Sequence, residues 1–243
     1  MEEIQITENK LGTLPIDKLL LEMAIPMVIS MLVQAIYNIV DSMFVARISE
    51  DALTAVSIAF PVQNILIAFA VGIGVGASAL LSRFLGENNR DRVGSVAIHG
   101  IVISAITYVA FALLGLLFTR AFADGQGQNA AVTAYTKEYT YIVTIFSIGI
   151  FFQVLAEKLL QATSLTKYTM ITQMSGAIIN IILDPILIFG LFGFPRLEVK
   201  GAAIATVIGQ LGGALIGFYF NKTKNHDIKF TSKKFRFHGD IVK

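Results

Sequence analysis

Long apolar stretches separated by short polar clusters set the pattern of the chain. Runs without Asp, Glu, Lys or Arg occupy Met23–Val40, Ala52–Ser82, Val93–Thr119, Tyr139–Ala156, Tyr168–Leu183 and Gly201–Asn221. A hydrocarbon layer about 30 Å thick takes about 20 mainly apolar residues in a helix. Each run therefore predicts one membrane-spanning helix, over residues 16–46, 52–84, 92–119, 132–157, 167–190 and 200–221. The polar turn Gly86–Asp91, the flexible Asp124–Asn129 and the Gly- and Pro-bearing stretch 190–200 separate successive spans. The expected fold class is an all-α polytopic membrane protein with six transmembrane helices. Residues 1–15 are expected to be a cytoplasmic N-terminus, 16–221 the helical lobe and 222–243 a basic cytoplasmic linker.

Within the apolar runs, the polar residues fall at helical spacing. On the first span Ser30, Gln34, Tyr37, Asn38 and Asp41 follow at three- and four-residue steps, which places them on one face. On the fifth, Thr169, Gln173, Asn180 and Asp184 do the same, with Gly176 at the intervening turn. Tyr139, Gln153 and Glu157 form a stripe on the fourth span, Ser57 and Asn64 lie on the second, and Thr206 and Gln210 on the sixth. Polar residues in a span serve either as interhelical hydrogen-bonding groups or as the lining of a wet cavity. The expected lining is Gln34, Tyr37, Asn38, Asn64, Tyr139, Gln153 and Gln173. Glu157 beside Lys158 reads as an ion pair at the inner boundary, and His99 as a structural residue.

Asp41 and Asp184 stand apart. Asp184 is the one charged residue between Lys167 and Arg196. A carboxylate at the centre of a bilayer costs about 2.5–3.5 kcal/mol even on insertion scales, so such residues face a protein interior or a cavity. Pro26, Pro61 and Pro185 also fall inside spans, where each removes a backbone hydrogen bond. Pro26 and Pro185 are the expected hinges. Gly209, Gly213 and Gly217 recur every fourth residue and predict close helix contact.

Composition agrees with this reading. Hydrophobic residues make up 55% and charged residues 15% of the 243, against about 25% charged in an average soluble domain. Mean hydropathy is +0.69. Glu2, Glu3 and Glu8 argue against a signal peptide. With both termini in the cytoplasm, 14 of the 19 basic residues lie inside, as the positive-inside rule favours. Spans one and five then run from inside to outside, and both aspartates lie in the outer half of the cell (plasma or inner) membrane. The basic tail suits a surface of anionic lipid better than nucleic acid. With no cysteine, disulfides and thiolate chemistry are excluded.

The chemistry follows from the acids. Two carboxylates sharing one cavity resist ionising together, so the pair can take up and release protons. A cationic substrate in that cavity opposes protonation, and this mutual exclusion is the core of antiport. Sodium held by Asp41, Asn180 and Asp184 offers the same coupling. No cofactor beyond a proton or sodium ion is expected. No His-Glu-x-x-His pair, clustered aspartate motif or nucleophile–base pattern points to an enzyme.

The segments Asn38–Val45, Pro61 onward, Ser82–Gly86, Asn180–Gly190 and Gly201–Thr206 resemble the multidrug and toxic compound extrusion (MATE) transporters, in their DNA-damage-inducible-type prokaryotic branch. The resemblance implies that Asp41 and Asp184 are coupling carboxylates, with Gln34, Tyr37, Tyr139 and Asn180 around them and Pro26 marking a bend. It also implies a two-lobe protein of twelve spans, of which this chain resembles the N-terminal lobe. The expected partners are a drug or xenobiotic small molecule, membrane lipid and a C-terminal lobe, and no nucleic acid. A lipid-linked oligosaccharide flippase of the same superfamily is the rival function. It calls for basic residues in the cavity, whereas these spans carry acids. A non-transporting membrane scaffold is the other alternative.

Overall fold

The structure, a computed structural model, describes residues 15–228. The expected N-terminal segment over 1–14 and the basic tail from residue 229 lie outside the described residues. Helices α1 (Ile16–Ala46), α2 (Glu50–Gly86), α3 (Arg90–Gly125), α4 (Ala130–Ile145), α5 (Ile148–Ala162), α6 (Thr166–Phe189) and α7 (Glu198–Thr223) follow in order. No strand occurs among the described residues. Polar side chains start three of the helices. Ser49 accepts from Ala52 N–H at 3.0 Å, Asn89 from Arg92 N–H at 3.3 Å and Asn129 from Val132 N–H at 2.8 Å, which satisfies donors that have no partner inside the helix. Gly190, at φ 75°, ends α6 and sits where a Cβ would meet Arg196 N and Phe194 O at 2.8 Å.

Helices α1, α2, α3, α6 and α7 are each long and apolar enough to cross a membrane, and the bent pair α4–α5 makes a sixth span. The chain is an all-α polytopic membrane protein. Its outer surface suits lipid: Leu20, Leu32 and Ile36 on α1 and Leu113, Leu117 and Phe118 on α3 are all exposed. Polar backbone is satisfied within the helices, as the hydrocarbon region demands.

The fourth span differs from the expectation of one helix over 132–157. Two helices meet there at 47°. The break carries no proline. It lies at Phe146–Ser147, where the N–H of Ser147 turns back to Thr144 O at 3.3 Å. Just beyond, Gly149 lets α5 seat against the α7 backbone, since a Cβ there would meet Leu211 N at 3.0 Å. Residues 222–228 also differ from a plain linker. Asn225 donates to Asn221 at 3.2 Å, and Ile228 is buried with Leu81, Phe84 and Leu159.

The closest packing joins α6 to α7. A Cβ at Gly209 would meet Gly176 O at 2.8 Å and Asn180 Cβ at 3.1 Å, and a Cβ at Gly176 would meet Gly209 O at 3.0 Å. Gly213 faces the Gln153 side chain, and Gly217 faces Ala156 and Thr172. The small-residue face of α7 is thus in contact along its length, which is how membrane helices gain packing energy without a hydrophobic driving force. Helix α1 packs mainly on α6, while α2 packs mainly on α5, α4 and α3. The two stand as separate walls over a floor of α5, α6 and α7.

Gly209→Val should destabilise the lobe by about 1–3 kcal/mol through overpacking. Gly72→Ala, whose Cβ meets nothing within 4 Å, should change stability by less than about 0.5 kcal/mol. Thermal unfolding of detergent-solubilised protein checks both; equal melting temperatures would refute the close contact.

Candidate functional site

Between the two walls lies a cavity of about 430 Å³. Each helix except α3 contributes to its lining. The helical spacing read from the sequence brings Gln34, Tyr37, Asn38 and Asp41 from α1 to face Gln173 and Asn180 from α6. Asn64 enters from α2, Tyr139 from α4 and Gln153 from α5. Tyr139 and Gln153 converge although the α4–α5 break separates them.

Two cross-links set the register of α1 on α6. Gln173 Nε2 donates to Gln34 Oε1 at 3.4 Å. Further along both helices, the carboxyl groups of Asp41 and Asp184 lie within hydrogen-bonding reach of each other. The residue order on both helices shows that α1 and α6 run parallel. Asp41 lines the cavity, whereas Asp184 is 0% exposed and lies behind it, outside the lining.

Asn180, one turn before Asp184, donates to Asp184 Oδ1 at 3.5 Å and to Thr206 Oγ1 at 3.4 Å. Tyr37 and Tyr139 line the cavity together with Thr206. Thr206 on α7 thus bonds α6 beside polar groups from α1 and α4. Asp41 Oδ1, Asp184 Oδ2 and Asn180 Oδ1 are buried without a hydrogen-bond partner among the described residues. Buried polar atoms are normally satisfied. Hard oxygen donors of this kind suit a bound proton or a sodium ion.

The expected hinges lie inside continuous helices. Pro26 is buried in α1, and Ser30 Oγ donates to its carbonyl at 2.9 Å. Pro185 follows Asp184 directly, within the last turns of α6.

Some lining residues were read differently from the sequence. Glu157 does not pair with Lys158: it is buried, accepts from Gln153 Nε2 at 3.0 Å and lines the cavity. Lys158 instead donates to Gln161 Oε1 at 3.0 Å. The signal was present, since Glu157 lies four residues after Gln153 on the same helix face. Thr206 and Gln210, which read equally well as packing groups, also face the cavity. His99 is buried, with Nδ1 at 2.8 Å from Ser95 O, and lies outside the lining.

Residues 26–186 match the MatE family. The chain belongs to this family. Among relatives of this MATE chain, the FAD transporter of Shewanella oneidensis is 30% identical over 197 residues, 81% of this chain and 44% of that protein. The multidrug export protein MepA of Staphylococcus haemolyticus is 30% identical over 220 residues, 90% of this chain and 48% of its own length. The chain spans about half the length of the curated relatives it matches. A solved MOP-superfamily transporter from Pyrococcus furiosus superposes with TM-score 0.85 at 29% identity, covering 93% of this chain and 49% of that one. The MATE fold of this chain corresponds to one lobe.

In this MATE lobe, Thr206→Val should leave the buried Asn180 amide short of a partner. The expected cost is about 1–3 kcal/mol, seen as a lowered melting temperature in detergent. Thr206→Ser, which keeps the hydroxyl, should restore most of the loss. Equal stability of the valine variant and the parent would refute the central role of this hydroxyl.

Proposed function

We propose that the chain is the N-terminal lobe of a two-lobe exporter, which moves cationic or amphipathic small molecules out of the cell in exchange for protons or sodium ions. The observation that carries this reading is the Asp41–Asp184 pair: one acid lines the cavity and the other is sealed directly behind it. A cation entering the cavity meets Asp41 first. Two carboxyl groups at that range share a proton or yield it to a cation, and cannot comfortably hold two negative charges. Substrate and coupling ion thus compete for the same charge.

Asn180, with an unpartnered oxygen beside both acids, supports either coupling ion. Pro26 and Pro185 flank the paired region of α1 and α6 and act as its hinges. The termini lie in the cytoplasm, by the distribution of basic residues. The C-terminal lobe and lipid are the lobe's neighbours, and the role is non-enzymatic.

The acids also bear on substrate class. One relative is described as an FAD transporter and another as a multidrug export protein. Lys158 is the one Lys or Arg among the lining residues, against Asp41 and Glu157. That balance favours cationic over phosphate-bearing cargo, and so efflux over a lipid-linked oligosaccharide flippase.

In the two-lobe protein, Asp41→Asn and Asp184→Asn should each abolish gradient-driven efflux without preventing membrane insertion. Vesicle transport assays under imposed proton and sodium gradients read the effect and identify the coupling ion. Full efflux by both variants under either gradient would overturn the coupling role.

A further inference from the structure

We propose that Glu157, held by Gln153, forms a second acidic subsite of the cavity, which receives the cationic group of an amphipathic ligand apart from the Asp41–Asp184 pair. The proposal deepens the transport reading and rests on it.

Position separates the two acidic centres. Thr169 Oγ1 donates to the Glu157 carbonyl at 3.3 Å, so Glu157 is level with Thr169, fifteen residues before Asp184 on α6. At 1.5 Å per residue that is about 22 Å along the helix. The Gln153 amide that holds the carboxylate lies against Gly176 and Gly213. Gly176 is eight residues before Asp184, or about 12 Å. The Glu157 carboxylate therefore lies between these levels, about 12–22 Å from Asp184 along the helix and out of contact with it. The Gln34–Gln173 pair lies within the same range of levels, eleven residues before Asp184 on α6.

The carboxylate is built for a ligand. It is 8% exposed, yet it lines the cavity. Its Oε1 accepts the Gln153 amide at 3.0 Å. Its Oε2 is not among the sealed, partnerless oxygens, unlike Asp41 Oδ1 and Asp184 Oδ2, and keeps access to the cavity. The Gln153 side chain is clamped, because a Cβ at Gly213 would meet its amide atoms at 2.7–3.0 Å. An acid oriented in advance loses less on binding than a mobile one. Nearby Val71, Ile150 and Val154 offer an apolar wall to a hydrophobic body.

Lys158 makes no direct ion pair with this acid. Consecutive residues on a helix do not face each other. The Lys158 stem lies against Gly74 on α2, and its amine is on Gln161. The two side chains point apart on α5, and a buried acid without a direct ionic partner is costly until a cation arrives.

The test is equilibrium binding to the two-lobe protein in detergent, with no ion gradient. Ethidium, an aromatic monocation, and Nile red, an uncharged aromatic dye, serve as fluorescent probes. Glu157→Gln should weaken ethidium binding by about tenfold and change Nile red binding by less than about twofold. Lys158→Met, which keeps the stem and removes the repelling charge, should tighten ethidium binding. A distorted wall would move both variants the same way, so the opposite signs separate charge recognition from damage. Unchanged ethidium affinity in Glu157→Gln, equal weakening of both dyes, or both variants shifting in one direction would overturn the subsite. Because no gradient is applied, that outcome combined with lost efflux in the aspartate variants would reject the subsite and leave the antiport reading standing.

Discussion

A carboxyl group taken out of water has to find a partner, and in this lobe Asp184 finds another carboxyl group. Its burial is complete, and its neighbours are Asp41 on one side and the Asn180 amide on the other. The surrounding order follows from that demand. Asn180 stays in place because its amide also reaches Thr206. Thr206 faces the same cavity as Tyr37 and Tyr139, which gathers polar groups of α1, α4, α6 and α7 inside an otherwise apolar bundle.

The cavity is a product of unequal packing. Tight contact between α6 and α7, and of α2 with the helices behind it, leaves α1 attached chiefly along α6. Its other side carries exposed leucine, isoleucine and methionine. The Gln34–Gln173 contact lies along that attachment.

The polar face shared by α1 and α6 was legible from sequence, because helical periodicity alone decides which residues share a side. That these faces meet in parallel followed once the spans were counted. The break between α4 and α5 was not legible: it has no proline, and the close seating of Gly149 on α7 just beyond it is a tertiary contact that no local pattern encodes. Glu157 misled for a related reason. Adjacency to Lys158 suggested a pair, but neighbours on a helix diverge by about 100°, whereas Gln153, four residues earlier, shares its face. Thr206 read equally as interhelical packing and as cavity lining, and its bond to Asn180 beside the acids depends on how α7 meets α6, which spacing along one helix does not encode. Ile228 was hidden by the basic residues around it.

Gly176 and Gly209 press against each other's carbonyl oxygens. Most crowded positions in a protein have a compensating partner: when one side chain grows, another shrinks. Here neither residue has anything left to give up, so the pair has no second-site suppressor within itself. Any enlargement must push two backbones apart, and those backbones carry Asn180 and Thr206. Enlargement at this crossing is therefore opposed from both sides, and the distance between the two helices acts as a ruler for the polar groups one turn away.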